Sequence, residues 1–239
     1  MNFLLHIETS SDICSVAVSE SNRVLSLIET RDSKLHATQL TPFIQKALTE
    51  AQISINQLKS ISVSAGPGSY TGLRIGVSVA KGLAYGLNIP LITINTLYAM
   101  SLHVSNSIDK LKSQIKNLNN LDNLCFCPAL DARRMEVYTA AYTQNGQVIK
   151  QPQALIIDEK SFADETENLL FFGNGAIKII NTCQQNNLFY LPDIHPSASY
   201  LIQPATLKFE NNDFSDIAYF EPEYIKEFFT TQAKDTLLK

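Results

Sequence analysis

The chain has 239 residues, of which 45% are hydrophobic, so it can bury a substantial core as one large domain or two smaller ones. Its net charge of −4 at pH 7 excludes the broad basic surface of a protein that grips nucleic acid alone, although a local basic patch is compatible with it. The four cysteines form no C-x-x-C pair, which argues against a zinc site or a disulfide framework. The apolar runs are too short to cross a bilayer, and Met1 leads straight into an apolar strand. These features predict a cytoplasmic protein without a membrane segment.

The first part of the chain predicts three strands in a meander, then helix, strand, helix and strand, which is typical of a mixed sheet flanked by helices. Pro42 interrupts the apolar pattern of the first helix. That helix therefore either starts at Pro42, with Thr41 as its cap, or bends there. The predicted elements are 2–9, 13–20, 23–30, 36–51, 61–66, 70–87 and 89–95.

The second part repeats this order after a helix and a polar connector between residues 96 and 123. A buried strand is followed by a hairpin that turns at "QNGQ", then by a strand, a glycine turn and a helix. A late helix is expected at 198–209. The repetition predicts two lobes, 1–100 and a smaller one at 101–215, with a tail at 216–239 that returns to the first lobe.

Six of the nine glycines lie in the stretch "SAGPGSYTGLRIGVSVAKGLAYGL", residues 64–87. Their spacing fits neither the Walker phosphate loop nor the dinucleotide fingerprint, because no lysine follows Gly72 and the G-x-G-x-x-G pattern is missed by one residue. The start of the following helix is capped and could still attract an anion. The phosphate interpretation is therefore weak.

Small residues recur every four positions along the same helix, at Gly72, Gly76, Ala80 and Ala84, and Gly82 and Gly86 add a second stripe. Each helical glycine costs about 1 kcal/mol relative to alanine, so a compensating contact is expected. Small residues at this spacing let two backbones approach closely. The neighbour is either the chain's own sheet and first helix or a helix of another subunit.

Three ordered segments, "LLHIETSSDICSVAV", the glycine stretch through "NTLYA" and "ALDARRMEVY", resemble the bacterial TsaB family. These proteins, also called glycoprotease homologues, are the dimerisation subunits of the tRNA threonylcarbamoyladenosine machinery. The resemblance is close over residues 3–142 and looser at "FFGNGA" and "FEPEYIKEF". It implies the α/β two-lobed actin-like (ASKHA) fold, in which each lobe is a mixed sheet flanked by helices.

The resemblance also implies a non-catalytic scaffold. Its partner would be TsaD, which transfers a threonylcarbamoyl group to N6 of the adenosine next to the anticodon of tRNAs reading ANN codons, and the ATPase TsaE would join the complex. Homodimers are expected when the partner is absent, and tRNA contact is expected to be indirect. Family members pair through their first two helices. The implied interface residues are His36, Leu40, Gly72, Leu73, Arg74, Gly76, Val77, Ala80, Lys81 and Ala84.

The chain differs from the catalytic homologue of the family, which holds a metal through an H-x-x-x-H pair. The four histidines lie at 6, 36, 103 and 195, so no such pair exists and no metal site is predicted. Glu8 stands where actin-like ATPases place a magnesium-binding acid, and Asp131 with Arg133 and Arg134 follows the equivalent strand of the second lobe. Asp131 and Arg133 could pair with each other or with a partner, or the arginines could contact phosphate. The residues of this vestigial nucleotide cleft are Glu8, Thr9, Ser10, Asp131, Arg133, Gly173 and Gly175.

No catalytic residue and no cofactor are predicted for the chain, and ATP with magnesium is expected only at the level of the complex. Two other hypotheses remain, an ATP-dependent phosphotransferase of the same fold and a self-associating protein without a partner. A small-residue stripe left free for a partner further predicts that Gly76→Leu or Ala80→Trp would abolish co-purification with the partner while the chain stays folded.

Overall fold

The computed structural model describes residues 1–31, 36–116 and 123–226, which form two five-stranded sheets with helices on their faces. The strands of the first sheet are β1 (Phe3–Glu8), β2 (Cys14–Glu20), β3 (Arg23–Thr30), β4 (Leu58–Gly66) and β5 (Leu91–Asn95). Those of the second are β6 (Leu124–Asp131), β7 (Glu136–Tyr142), β8 (Val148–Ile156), β9 (Asn168–Phe172) and β10 (Leu188–Leu191). The helices are α1 (His36–Glu50), α2 (Tyr70–Leu87), α3 (Thr96–Leu111), α4 (Ala176–Thr182) and α5 (Ile202–Glu210).

The two sheets have the same topology. The first has the order β3-β2-β1-β4-β5 and the second the order β8-β7-β6-β9-β10. In each, the first three strands form an antiparallel meander, and the last two run parallel to the first strand. The predicted fold of two mixed sheets, each flanked by helices, is confirmed, and the second sheet is built from a shorter stretch of chain.

Helices cover both faces of each sheet. Helices α1 and α2 pack on one face of the first sheet, and α4 packs on the matching face of the second. The other face of each sheet is covered by a helix that adjoins the other sheet in sequence. Helix α3 follows the first sheet but packs on the second through Met100 and Val104, whereas α5 follows the second sheet but packs on the first through Ala205.

This exchange bears on the predicted lobes. The boundary at residue 100 falls within α3, and α5 lies in the range predicted for the second lobe although it contacts β5 of the first. The ranges 1–100, 101–215 and 216–239 stay a prediction. Part of the polar connector, residues 117–122, and the end of the tail, residues 227–239, lie outside the described residues.

Local patterns account for most elements. The alternating runs form the predicted meanders, and "QNGQ" turns between β7 and β8 with Gly146 at a φ of 78°. Helix α2 is capped by Ser69, whose hydroxyl oxygen accepts a hydrogen bond from the Gly72 N–H at 3.2 Å. Helix α1 includes Pro42 and extends back to His36, so the interpretation of Thr41 as its cap is wrong.

The four cysteines are buried free thiols. Within the three described ranges, no helix is long and apolar enough to cross a bilayer.

Candidate functional site

The turn after β1 places Glu8 inside the protein. Glu8 is 1% exposed, and its Oε1 accepts hydrogen bonds from the Ser10 backbone N–H at 2.6 Å and the Ser64 hydroxyl at 3.0 Å. Burial raises the pKa of the Glu8 carboxyl above its usual value, although the hydrogen bonds from Ser10 and Ser64 oppose the shift. The acid predicted to face a nucleotide is thus held by its own chain.

Thr9 and Ser10 lie directly against the start of α2. A Cβ atom on Gly72 would overlap the carbonyl oxygen of Thr9, and one on Gly76 would overlap its hydroxyl oxygen. A Cβ atom on Gly68 would overlap Ser10. The Thr9 hydroxyl donates to the Gly72 carbonyl oxygen at 2.8 Å. These three glycines are therefore explained by the close approach of the chain's own turn.

Most of the predicted interface residues lie in the interior of the folded chain, and their role in a partner interface stays a prediction. Eight of its ten residues are buried in the folded chain, because their side of α1 and α2 supplies the core of the first lobe. Helix α2 contacts β4, β1 and α1, so the chain's own sheet and first helix are the neighbours of the first small-residue stripe. The eight buried residues are His36, Leu40, Gly72, Leu73, Gly76, Val77, Ala80 and Ala84.

The other two predicted interface residues hold the tail of the same chain. The Arg74 Nε donates to the Tyr224 hydroxyl at 3.2 Å, and its guanidinium lies 4.1 Å from the centre of the Tyr70 ring. The Lys81 ammonium donates to the Phe220 carbonyl oxygen at 3.0 Å. Arg74 remains exposed and Lys81 is half-buried, and their role in a partner interface stays a prediction.

The outer side of α2 carries the second small-residue stripe. Ser78, Gly82 and Gly86 are exposed at four-residue intervals. Among residues 1–31, 36–116 and 123–226, a Cβ atom on Gly82 or Gly86 would meet nothing within 4 Å. Tyr85 beside them is 79% exposed. No part of the chain that the structure describes packs against this second stripe as the Thr9 turn packs against the first.

The turn after β6 is the second-lobe counterpart of the Glu8 turn, and it is open. The Asp131 Oδ1 accepts the Arg133 backbone N–H and the Lys178 ammonium, both at 2.6 Å. Arg133 and Arg134 are exposed. The predicted pairing of Asp131 with Arg133 thus involves the backbone of Arg133, and the ion-pair partner of Asp131 is Lys178.

Gly173 and Gly175 allow the loop before α4 to lie on the end of β6. Gly173 has a φ of 101°, and its Cβ atom would overlap the Ala129 carbonyl oxygen. The Gly175 N–H donates to that same oxygen at 2.9 Å. A left-handed turn before a helix explains Gly173, and close approach to the backbone of β6 explains both glycines. Their predicted place in a nucleotide cleft stays a prediction.

The end of the described chain crosses the strand ends of the first lobe. The Glu223 N–H donates to the Ala65 carbonyl oxygen at 2.7 Å, and the Asn95 side-chain amide donates to the Glu223 carboxylate at 2.7 Å. Lys226 forms an ion pair with Glu136 of the second lobe. Ligands of open α/β sheets commonly bind at the carboxyl ends of the strands. Here the chain's own tail covers part of that edge. The sequence predicted a tail that returns to the first lobe, but no motif indicated that it would lie on the strand ends.

Two of the four histidines have structural roles. The two ring nitrogens of buried His6 lie 2.7 Å from the Ser62 hydroxyl and 2.8 Å from the Ser19 hydroxyl, and burial lowers its pKa to about 3. His103 stacks on Tyr200 at 3.7 Å, and burial lowers its pKa to about 4. Across the described ranges, His, Cys, Asp and Glu form no group of three or more that could hold a metal ion.

The comparisons with known sequences name proteins of tRNA threonylcarbamoyladenosine biosynthesis, TsaD for the family model and TsaB for the relatives. A family model described as "TsaD: tRNA N6-adenosine threonylcarbamoyltransferase" matches residues 30–230. A "tRNA threonylcarbamoyladenosine biosynthesis protein TsaB" from Buchnera aphidicola subsp. Acyrthosiphon pisum is 31% identical over 170 residues, which are 70% of this chain and 71% of the relative. The protein of that name from Bacillus subtilis is 27% identical over 229 residues, 93% of each chain.

A solved structure from Pseudomonas aeruginosa shows the same fold. It is described as an uncharacterized protein with similarity to peptidase YEAZ, and it superposes with a TM-score of 0.76 at 23% sequence identity. The superposition covers 95% of this chain and all of that one. The duplicated sheets described above are thus found together in an experimental structure.

Proposed function

The chain belongs to the TsaB family of tRNA threonylcarbamoyladenosine biosynthesis proteins, and on this premise we propose that it is a non-catalytic scaffold subunit. Its partner in this proposal is the catalytic homologue TsaD, which places the threonylcarbamoyl group on the adenosine next to the anticodon. The ATPase TsaE joins the complex. Since the substrate is tRNA, we place the subunit in the cytoplasm.

The observation that carries the scaffold role is the closed turn after β1. An ATPase of this fold needs an acid and a turn free to hold magnesium and phosphate. Glu8 is buried and hydrogen-bonded within the chain, Thr9 is packed against two glycines of α2, and Ser10 is packed against Gly68 just before that helix. We therefore assign nucleotide chemistry to the partners.

We propose that the outer side of α2 is the docking surface for the partner. The three small residues Ser78, Gly82 and Gly86 leave a shallow strip along the helix, with Tyr85 exposed beside it. Two exposed helical glycines each cost about 1 kcal/mol, and nothing in the described chain makes use of the space they leave. A helix of the catalytic homologue could approach its backbone there, as close helix packing requires.

The test is binding of the purified chain to purified TsaD with Gly82→Trp. The indole would occupy the space beside Gly82 and prevent close approach of the partner helix. We therefore expect the affinity for TsaD to fall about thirtyfold or more. The isolated variant should unfold at the same or a slightly higher denaturant concentration than the parent, because a helical glycine is replaced and a Cβ at this site meets no atom of the described ranges within 4 Å. Ile177→Trp is the matched control, since Ile177 is exposed on α4 of the other lobe.

Normal binding of TsaD by Gly82→Trp would remove the proposed docking surface. The other occupant of this strip is a second copy of the chain. Sedimentation with and without TsaD separates the two, because a homodimer through this face must be displaced by the partner and must be lost in Gly82→Trp.

A further inference from the structure

The turn that joins β6 to β7 holds two consecutive arginines in the left-handed region. Arg133 has a φ of 69° and Arg134 a φ of 48°. This conformation is unfavourable for side chains with a Cβ atom, so two neighbouring examples must be stabilised by surrounding contacts.

The structure supplies those contacts from three directions. The Asp131 carboxylate accepts the Arg133 N–H, and the Lys178 ammonium donates to the Arg134 carbonyl oxygen at 2.6 Å. The Asp131 N–H donates to the Asn174 side-chain oxygen at 2.9 Å. Hydrogen bonds therefore hold the backbone of this turn, and both arginines remain exposed to solvent.

Charge is unbalanced at this turn. Its two carboxylates, Asp131 and Glu136, form ion pairs with Lys178 and Lys226. Neither guanidinium has a carboxylate partner in the described parts of the chain, so the six side chains together carry a charge of +2. A chain with a net charge of −4 thus presents a local positive surface here.

We propose that Arg133 and Arg134 bind phosphate groups of the RNA backbone, so that this subunit touches tRNA directly. Guanidinium groups form charge-assisted hydrogen bonds with phosphate oxygens. The pair is exposed on a turn, which suits a polyanion with repeated charges better than a small nucleotide that needs a concave site. This inference rests on the proposed function and replaces the expectation of indirect tRNA contact.

The test measures binding of an unmodified tRNA that reads an ANN codon to the complex of the chain with TsaD. The double variant Arg133→Gln/Arg134→Gln should bind about tenfold more weakly at about 0.1 M salt. The slope of log affinity against log salt should become shallower by about one per arginine. Arg133→Lys/Arg134→Lys keeps the charge and should retain most of the affinity.

A matched control removes two positive charges elsewhere. Arg23→Gln/Lys59→Gln alters exposed residues at the amino-terminal end of the first sheet, and it should leave tRNA binding unchanged. Equal binding by the arginine variant and the parent would overturn the inference. Weaker binding to TsaD with unchanged tRNA affinity would overturn it too, because the turn would then recognise an acidic protein surface.

The inference can fail separately from the proposed function. If the parent chain forms no complex with TsaD, the scaffold role fails, and the same variants are compared on the chain alone by cross-linking to the tRNA. Loss of cross-linking in Arg133→Gln/Arg134→Gln is still required there. Melting of each variant shows whether its fold is intact.

Discussion

The turns after β1 and β6 occupy the same place in the duplicated topology, yet one is closed and the other open. Glu8, Thr9 and Ser10 are buried under the start of α2. Arg133 and Arg134 stand exposed at the equivalent position of the second lobe. Duplication of a fold therefore fixes where a turn lies without fixing whether it can reach a ligand.

The difference between the closed and the open turn is explained by the positions of the glycines and by one lysine. In the first lobe, glycines of α2 leave room for the turn to come within hydrogen-bond distance of the helix. In the second lobe, the loop before α4 uses Gly173 and Gly175 to approach β6 instead, and Lys178 supports the turn from its side. Each of these arrangements can be broken separately.

The largest expected effect is that of Gly76→Leu in the closed turn. The new side chain would overlap Thr9, so we expect the isolated chain to lose about 3 kcal/mol of stability or more. This replaces the earlier expectation that the variant stays folded. Urea unfolding checks it, with Gly82→Leu on the outer side of the same helix as control. A parent-like midpoint for Gly76→Leu would mean that Thr9 is not packed as described.

Acid should weaken the lobe with the closed turn. His6 has a pKa of about 3 in the folded chain against an ordinary value of 6.5, so below pH 6.5 the unfolded chain binds a proton that the folded chain does not. Stability is then lost as pH falls from 6.5 towards 3, by about 1.4 kcal/mol per pH unit for this group. His103 contributes in the same direction down to about pH 4.

Urea unfolding between pH 4.5 and 6 measures that slope. His6→Gln should reduce it by one proton, and His103→Phe, which keeps a ring on Tyr200, should reduce it by another. An unchanged slope in both variants would show that the two rings titrate alike in the folded and unfolded chains.

The smallest expected effect is that of Lys178→Met at the open turn. It removes the ammonium that Asp131 and the Arg134 carbonyl oxygen share, and we expect a loss of about 1 kcal/mol because the Asp131 side chain is partly exposed. Lys208→Met is the control, since its ion pair with Asp213 lies at the surface. Equal midpoints for the two variants in urea would argue against a supported turn.

Most of the fold could be predicted from local sequence patterns, because alternation and helical periodicity record which side of an element is buried. Helix α5 shows the limit. Its apolar side predicts burial, but nothing in its own sequence indicates that it packs on the first sheet rather than the second, which directly precedes it.

The site was harder to predict for the same reason. Small residues at four-residue spacing indicate close approach, and Gly76 and Gly82 both have it. Only the three-dimensional packing shows that Thr9 fills the space beside Gly76 and that Gly82 is open. The partner of Asp131 lies 47 residues away at Lys178, on a helix that carries no motif for it.

The tail that joins Ala65 and Asn95 to Glu223, and Glu136 to Lys226, has a geometric consequence. Rotation of one lobe against the other would have to break either the bonds of Glu223 to the first lobe or the ion pair of Lys226 with the second, so the tail opposes such a rotation. A protein seated on the outer side of α2 and an RNA strand at Arg133 would then be held at a constant spacing. The distance between the two bound molecules would then depend on the contacts of Glu223 and Lys226.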